Sequence, residues 1–195
     1  MNINEKELIL TGDTVKLMPL EQIHEVPLWE ASDKKEIWTY MATKIVSQEE
    51  LSAEITKALI AKEQGSQYPF AVLHKEKNEI VGSTRFLDIS IANKSAEIGF
   101  TWYHPSVWRT KVNSECKYLL LKHAFENWHL NRVFFKTDGR NTRSQQAIAR
   151  LGAVKEGVMR KDRIISDGYA RDTVYYSILI QEWPIIKKRL LEKMN

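Results

Sequence analysis

An α+β fold is what this sequence predicts, and three observations carry the prediction. Three candidate strands, Tyr68–His74, Glu79–Ile91 and Ser95–Tyr103, follow one another across short polar turns, the pattern of an antiparallel meander. Helical periodicity brackets that meander, from Ser47 to Gly65 on one side and from Asn113 to about His129 on the other. Strand and helix candidates then follow to the end, giving the order β-α-α-β-β-β-α-β-α-β-β before a last helix.

Each element has a local reason. Thr14–Met18 alternates as a first strand and Pro19 closes it. Leu20–Met41 reads as one or two short helices carrying Trp29 and Trp38. Ser47, with Glu50 three residues on, is a capping-box pattern; Leu51, Ile55, Ala58 and Leu59 form the buried stripe behind it, and Gly65 stops the helix. After the meander, Val112, Cys116, Leu120, Ala124 and Trp128 make an unbroken i, i+4 series. Arg132–Asp138 is a strand, Asn141–Leu151 a helix, and Ala153–Arg163 with Tyr169–Ile180 a hairpin around Ser166-Asp167-Gly168. Gln181–Met194 is a helix with basic residues late, where they suit its dipole. No repeat or linker interrupts the chain.

The bulk properties narrow the class. A chain of 195 residues, 43% hydrophobic and 28% charged, fits one domain with a full core. No apolar run approaches the ~20 residues that cross a bilayer, so no membrane partner is expected. The start, MNINEKELIL, shows no basic segment followed by an apolar block, and the one cysteine, Cys116, suits a reducing compartment; the expected location is the cytoplasm. Charge is uneven along the chain. Glu21–Glu63 holds nine Asp/Glu against five Lys/Arg, whereas Arg132–Arg163 holds nine Lys/Arg against three Asp/Glu. Solvated faces account for this, and so does a basic half meeting a polyanion while the acidic half meets a cation.

Two turns that run into helices place free backbone N–H groups where an anionic ligand can sit: His104–Glu115, HPSVWRTKVNSE, and Asn141–Gly157, NTRSQQAIARLGAVKEG. Between them in the argument stands the strand Ala96–Tyr103. Simple alternation puts Ala96, Ile98, Phe100 and Trp102 on one face and Glu97, Gly99, Thr101 and Tyr103 on the other. A carboxylate beside a glycine and a hydroxyl reads as a cleft lining; a solvent-facing or salt-bridged Glu97 is the alternative. Cys116 lies on an apolar helical stripe and is expected in the core. The five histidines have no metal-ligand spacing, so no metal is expected. Arg140-Asn141-Thr142-Arg143 is basic, but no nucleic-acid-binding motif accompanies it.

The segment Asn141-x-x-Ser144…Leu151-Gly152-Ala153-x-x-Glu156-Gly157, with the loop Trp108–Asn113, resembles the GCN5-related N-acetyltransferase (GNAT) superfamily, in its ribosomal-protein N-acetyltransferase branch. The resemblance runs from about Leu10 to Ile180. It implies a mixed, mostly antiparallel central sheet flanked by helices, as a domain over 10–180 with 181–195 a helix packed on or extending it. It also implies acetyl-CoA as cosubstrate. The loop residues Trp108, Arg109, Thr110, Lys111, Val112, Asn113 and Ser114 fall where the family binds the coenzyme A pyrophosphate. They depart from its glycine pattern, with Lys111 and Asn113 at the two small-residue positions. A reshaped loop, a positive φ borne at a cost, a Lys111 charge for the phosphates, or a plain turn capped by Asn113 are the readings this leaves.

By the same resemblance Asn141 contacts the pantetheine arm, beyond its service as a helix cap, and Ser144 reaches the sulfur as proton donor to the thiolate. The backbone of Phe100, Thr101 and Trp102 holds the pantetheine and the thioester carbonyl. Glu97 takes the amine proton, directly or by water. Trp29, Trp38 and Tyr40 border the acceptor pocket, with a core role the alternative for the two tryptophans. The expected activity is transfer of an acetyl group to an amine-bearing small molecule or a protein N-terminus by direct attack in a ternary complex. A lysine-like amine needs about 4.6 kcal/mol of deprotonation at pH 7 and an α-amine far less. A non-catalytic acyl-CoA-binding module of the same fold is the rival. Dimers are common in the family, so a homodimer is the oligomeric state to test.

Overall fold

In the computed structural model, which describes residues 7–165 and 167–194, eight strands form one sheet in the order β1-β2-β3-β4-β5-β6-β8-β7. The strands are β1 (Leu10–Thr11), β2 (Val15–Pro19), β3 (Tyr68–His74), β4 (Glu79–Ser90), β5 (Ser95–Tyr103), β6 (Arg132–Asp138), β7 (Val154–Ile164) and β8 (Ala170–Leu179). The meander appears as expected, with β3, β4 and β5 antiparallel in turn. β5 and β6 pair in parallel, and every other pair is antiparallel. The two-residue β1 was not foreseen; it is too short to carry an alternation. Of the hairpin turn, Ser166 lies outside the described residues.

The helices are α1 (Glu25–Ala31), α2 (Lys35–Trp38), α3 (Gln48–Glu63), α4 (Lys111–Lys122), α5 (Thr142–Leu151) and α6 (Trp183–Met194). At α3 the Ser47 side chain accepts from Glu50 N at 3.3 Å, while the Glu50 carboxylate returns to Val46 N rather than to Ser47 N. α4 starts two residues earlier than the periodicity suggested. Thr110 caps it, with Oγ1 accepting from Val112 N at 3.3 Å and donating to Val107 O at 2.7 Å, so Asn113 sits inside the first turn. The predicted helix to His129 is interrupted: His123–Asn127 winds as a wider π turn, and His129 takes a left-handed φ of 52°.

The sheet divides the core in two. Against one face Val112, Cys116, Leu120, Ala124 and Trp128, the foreseen stripe, pack with Val15, Phe70, Ile98, Val133, Ile148 and Ile186. Against the other face a smaller cluster gathers Leu20, Leu28, Trp38, Leu51, Ile55, Ala71 and Trp102 under α1–α3. Glu115 fixes the β1–β2 turn beside α4. Its carboxylate accepts from the N–H groups of Asp13, Thr14 and Val15, each at 2.8 Å. Among the described residues no helix is long and apolar enough to cross a membrane.

Candidate active site

A break in strand pairing makes the site. β5 and β6 match over Ser95↔Arg132, Ala96↔Val133 and Glu97↔Phe134 and no further, although β5 runs on to Tyr103 and β6 to Asp138. Beyond Glu97 the main chain of β5 therefore presents N–H and C=O groups to a gap, where a ligand or water must satisfy them.

A bulge re-aims the side chains at that gap. Ser83 lies opposite Trp102 and Arg85 opposite Gly99, so Thr84 alone spans Phe100 and Thr101. Phe100 absorbs the extra residue with a φ of 44°, left-handed backbone that costs a non-glycine residue on the order of 1–3 kcal/mol. This corrects the simple alternation expected for the strand. Ala96 and Ile98 face α4, but after the bulge Tyr103 joins that core and Trp102 joins the cluster under α1–α3, with Phe100 packed against it. Thr101 does not line a cleft beside Glu97. Its hydroxyl meets Thr84 Oγ1 at 2.7 Å and accepts from Lys117 Nζ of α4 at 2.7 Å.

Glu97 is 7% exposed, and Lys136 Nζ lies 2.9 Å from its Oε2 and 2.7 Å from Asp88. Burial raises the Glu97 carboxyl above the ordinary carboxylate range, with the Lys136 hydrogen bond pulling it back. Lys136 itself, despite burial, is held above its ordinary value by those two carboxylates. Gly99 leaves room for that carboxylate: a Cβ there would fall 2.5 Å from Glu97 Oε1 and 2.8 Å from Leu87 Cδ1, so a larger residue would displace both side chains. On the same side the Arg85 guanidinium stacks 3.8 Å from the Phe100 ring centroid and bonds Glu54 Oε1 and Gln67 Oε1, both at 3.2 Å.

Two helix starts frame the opening. Before α4 the left-handed residue is Arg109, φ 64°. Lys111 and Asn113 belong to the helix, so their replacement of glycine strains no backbone. The Lys111 ammonium donates to the Met194 carbonyl at the end of α6. Val112 has its side chain fully buried and offers a ligand only its backbone; Asn113 and Ser114 are half-buried. At α5, Asn141 Oδ1 accepts from Ser144 N at 2.9 Å, the cap expected of it, and Ser144 is half-buried. Arg140 just before it grips the buried Asp138 with N, Nε and NH2 at 2.8, 3.0 and 2.7 Å, and its guanidinium covers the Tyr169 ring at 3.7 Å.

A cavity of about 330 Å³ lies between Glu36, Thr39 and Tyr40 on one side and Trp108, Asn141, Thr142 and Arg143 on the other. It unites three residues singled out from the sequence, Tyr40, Trp108 and Asn141. Trp38 does not reach it. That ring is 4% exposed, packs 5.3 Å from Trp102 and donates Nε1 to Ser32 O. Trp29 is half-buried against the same cluster. Arg143, stacked 4.0 Å from the Trp108 ring, and Glu36 were not singled out individually; only the local run of basic residues hinted at the first. Cys116 is fully buried, and burial pushes its thiol up to about 12, so it holds no thiolate near neutrality.

Residues 15–154 match the sequence profile of the acetyltransferase (GNAT) domain. The chain belongs to the GNAT family. A relative over nearly the whole length is the ribosomal-protein-serine acetyltransferase of Escherichia coli K12, 24% identical over 176 residues, 89% of this chain and 97% of that protein. The same organism's [ribosomal protein uS5]-alanine N-acetyltransferase is 26% identical over 125 residues, 62% of this chain and 61% of its own. Among solved structures, a GCN5-related N-acetyltransferase from Brucella melitensis superposes with a TM-score of 0.89 at 26% identity, covering 96% of this chain and 86% of that one. The mixed sheet flanked by helices is thus the family's architecture.

Proposed function

We propose that this GNAT chain moves an acetyl group from acetyl-CoA to a primary amine by direct attack in a ternary complex. The observation that carries the proposal is the parting of β5 from β6 immediately after a buried carboxylate, with two helix N-termini at the opening. The residues present fit acetyl-CoA. The first turn of α4, from Lys111 to Ser114, offers backbone donors to the pyrophosphate, with Trp108, Arg109 and Thr110 shaping the approach. The unpaired main chain from Phe100 to Trp102 receives the pantetheine arm in strand-like fashion, and Asn141 flanks it. Bound there, acetyl-CoA supplies an activated acyl carbon.

The protein's own groups handle the protons. An ammonium acceptor sheds two as its nitrogen bonds the acyl carbon and the carbon–sulfur bond breaks. Glu97 takes the first, directly or through water, which its raised affinity for a proton favours. The second ends on the sulfur, delivered through the Ser144 hydroxyl. An N–H of the 100–102 segment meets the charge that builds on the carbonyl oxygen. Tyr40 and Glu36 border the entry of the amine, and the carboxylate suits a cation. Two relatives are named for serine and alanine acetylation of ribosomal proteins, which favours a polypeptide α-amine; such an amine also needs the least deprotonation.

Thiol release from acetyl-CoA, measured against a panel of peptides and small amines, tests the proposal. Release that requires an amine supports it. Saturable acetyl-CoA binding with no release under any amine would leave a binding module and end the catalytic reading. The Cys116→Ala variant should retain activity; an acetylated Cys116 trapped in a single-turnover quench would overturn direct attack.

A further inference from the structure

The bulge that turns Phe100 toward the acceptor side is held by a buried cation on each face of β5. On the α1–α3 side the Arg85 guanidinium stacks on the Phe100 ring and is tied to Glu54 and Gln67. On the α4 side Lys117 is 6% exposed, on a helix face otherwise made of Val112, Cys116, Leu120 and Leu121, and its Nζ donates to Thr101 Oγ1 at 2.7 Å. Thr101 hands the contact on to Thr84 Oγ1 at 2.7 Å and lies 3.4 Å from Gly99 O, so one hydroxyl links β4, α4 and both sides of the bulge. Arg85 has a carboxylate partner in Glu54. The hydrogen bond of Lys117 goes to a neutral hydroxyl instead, an arrangement that packing alone does not explain. A methionine would fill the same space without bringing a charge out of water.

We infer that Lys117 is a positioning residue for acyl transfer: through Thr101 it sets the direction of the main-chain donors of residues 100–102 and places positive charge behind the carbonyl they receive. The inference rests on the acetyl-transfer reading of the same site. The charged and titratable groups that act on the Lys117 amine are Cys116 on its own helix and, across β5, Glu97; Thr101 of β5 accepts its hydrogen bond and the Phe135 ring of β6 lies 6.0 Å away. Burial lowers the Lys117 ammonium to about 8, with Cys116 and Glu97 opposing. Its charge is therefore present below that pH and absent above it.

The test compares the full chain with Lys117→Met and Thr101→Val, using acetyl-CoA labelled with ¹³C at the acetyl carbonyl. Two readouts are taken. One is the carbonyl resonance of the bound ligand, which needs no turnover; the other is amine-dependent thiol release from pH 6 to 10. In Lys117→Met the bound resonance should move back toward that of free acetyl-CoA. kcat should fall roughly tenfold or more, KM for acetyl-CoA should change by less than about threefold, and the fall in rate near pH 8 should disappear. Thr101→Val, which keeps the lysine, should reproduce the resonance shift even if Lys117→Met fails to fold. An unchanged resonance in either folded variant, with an unchanged pH–rate profile, overturns the inference. A wild-type protein that binds the ligand, shows a Lys117-dependent resonance and turns over no amine would sink the activity, and with it the acyl-transfer role, while leaving Lys117 as the residue that orients the 100–102 donors toward the bound carbonyl.

Discussion

Two ionisable groups lie buried on opposite faces of β5, and the fold treats them differently. Glu97, toward α1–α3, is countered by Lys136, which is itself shared with Asp88. Lys117, toward α4, has a threonine hydroxyl for its hydrogen bond. Burial drives both toward their neutral forms, so the carboxyl rises and the ammonium falls. Their effects on stability consequently run in opposite directions with pH. A carboxyl with a raised folded value holds its proton more tightly in the fold, and stability declines as pH climbs from the ordinary carboxylate value through the raised one. An ammonium lowered to about 8 is given up earlier in the fold than in the unfolded chain, where it keeps the ordinary value of 10.5, and stability rises across that interval. β5 thus lies between its own buried carboxyl on one face and a buried amine from α4 on the other.

The sharpest way to break this comparison is at Glu97. Glu97→Gln should lower kcat by about 10²–10⁴-fold. The deficit should be greatest at low pH and should shrink as pH nears the acceptor's own value, because free amine then no longer needs a base. Rates across pH check this, and an unchanged profile removes Glu97 from the chemistry. Ile98→Ala, one residue along and on the opposite face, should do the converse. It should cost about 2–5 kcal/mol in urea unfolding while the pH profile of the surviving activity keeps its shape. Next, wild-type stability should gain about 3 kcal/mol between pH 8 and 10.5 relative to Lys117→Met, since a shift from 10.5 to about 8 spans about 2.5 units. Parallel slopes for the two proteins would refute it. The smallest effect belongs to the α4 cap, where Thr110→Ala should cost about 1 kcal/mol and weaken acetyl-CoA binding only modestly, as read by thermal shift.

How far the sequence could be read depends on which interactions were local. The α3 stripe, the Leu120 series and the Asn141 cap are short-range matters of period and capping, and they stand where expected. Glu97 was reachable too, as a carboxylate beside a glycine. What stayed hidden arises between segments far apart. Lys136 meets Glu97 only because β5 and β6 pair in parallel, and nothing inside Arg132–Asp138 announces that register. The bulge inverted the expected faces of Thr101 and Trp102 because Phe100, a residue that rarely accepts φ 44°, absorbs it next to the glycine that would have been the natural choice. Trp38 is placed at the pocket wall by the family resemblance, with a core role as the alternative; its ring lies in the core, where Trp102 reaches it only through that inversion.

One feature at the start of α4 bears on how the molecule assembles. Within that helix Glu115 binds Val15, 100 positions earlier, and Lys111 binds the Met194 carbonyl, 83 positions later. Loops of such span close late, since their entropy must be spent before the contact returns anything. The start of α4 therefore gains these two ties, beyond its local Thr110 cap, only once both distant segments have arrived.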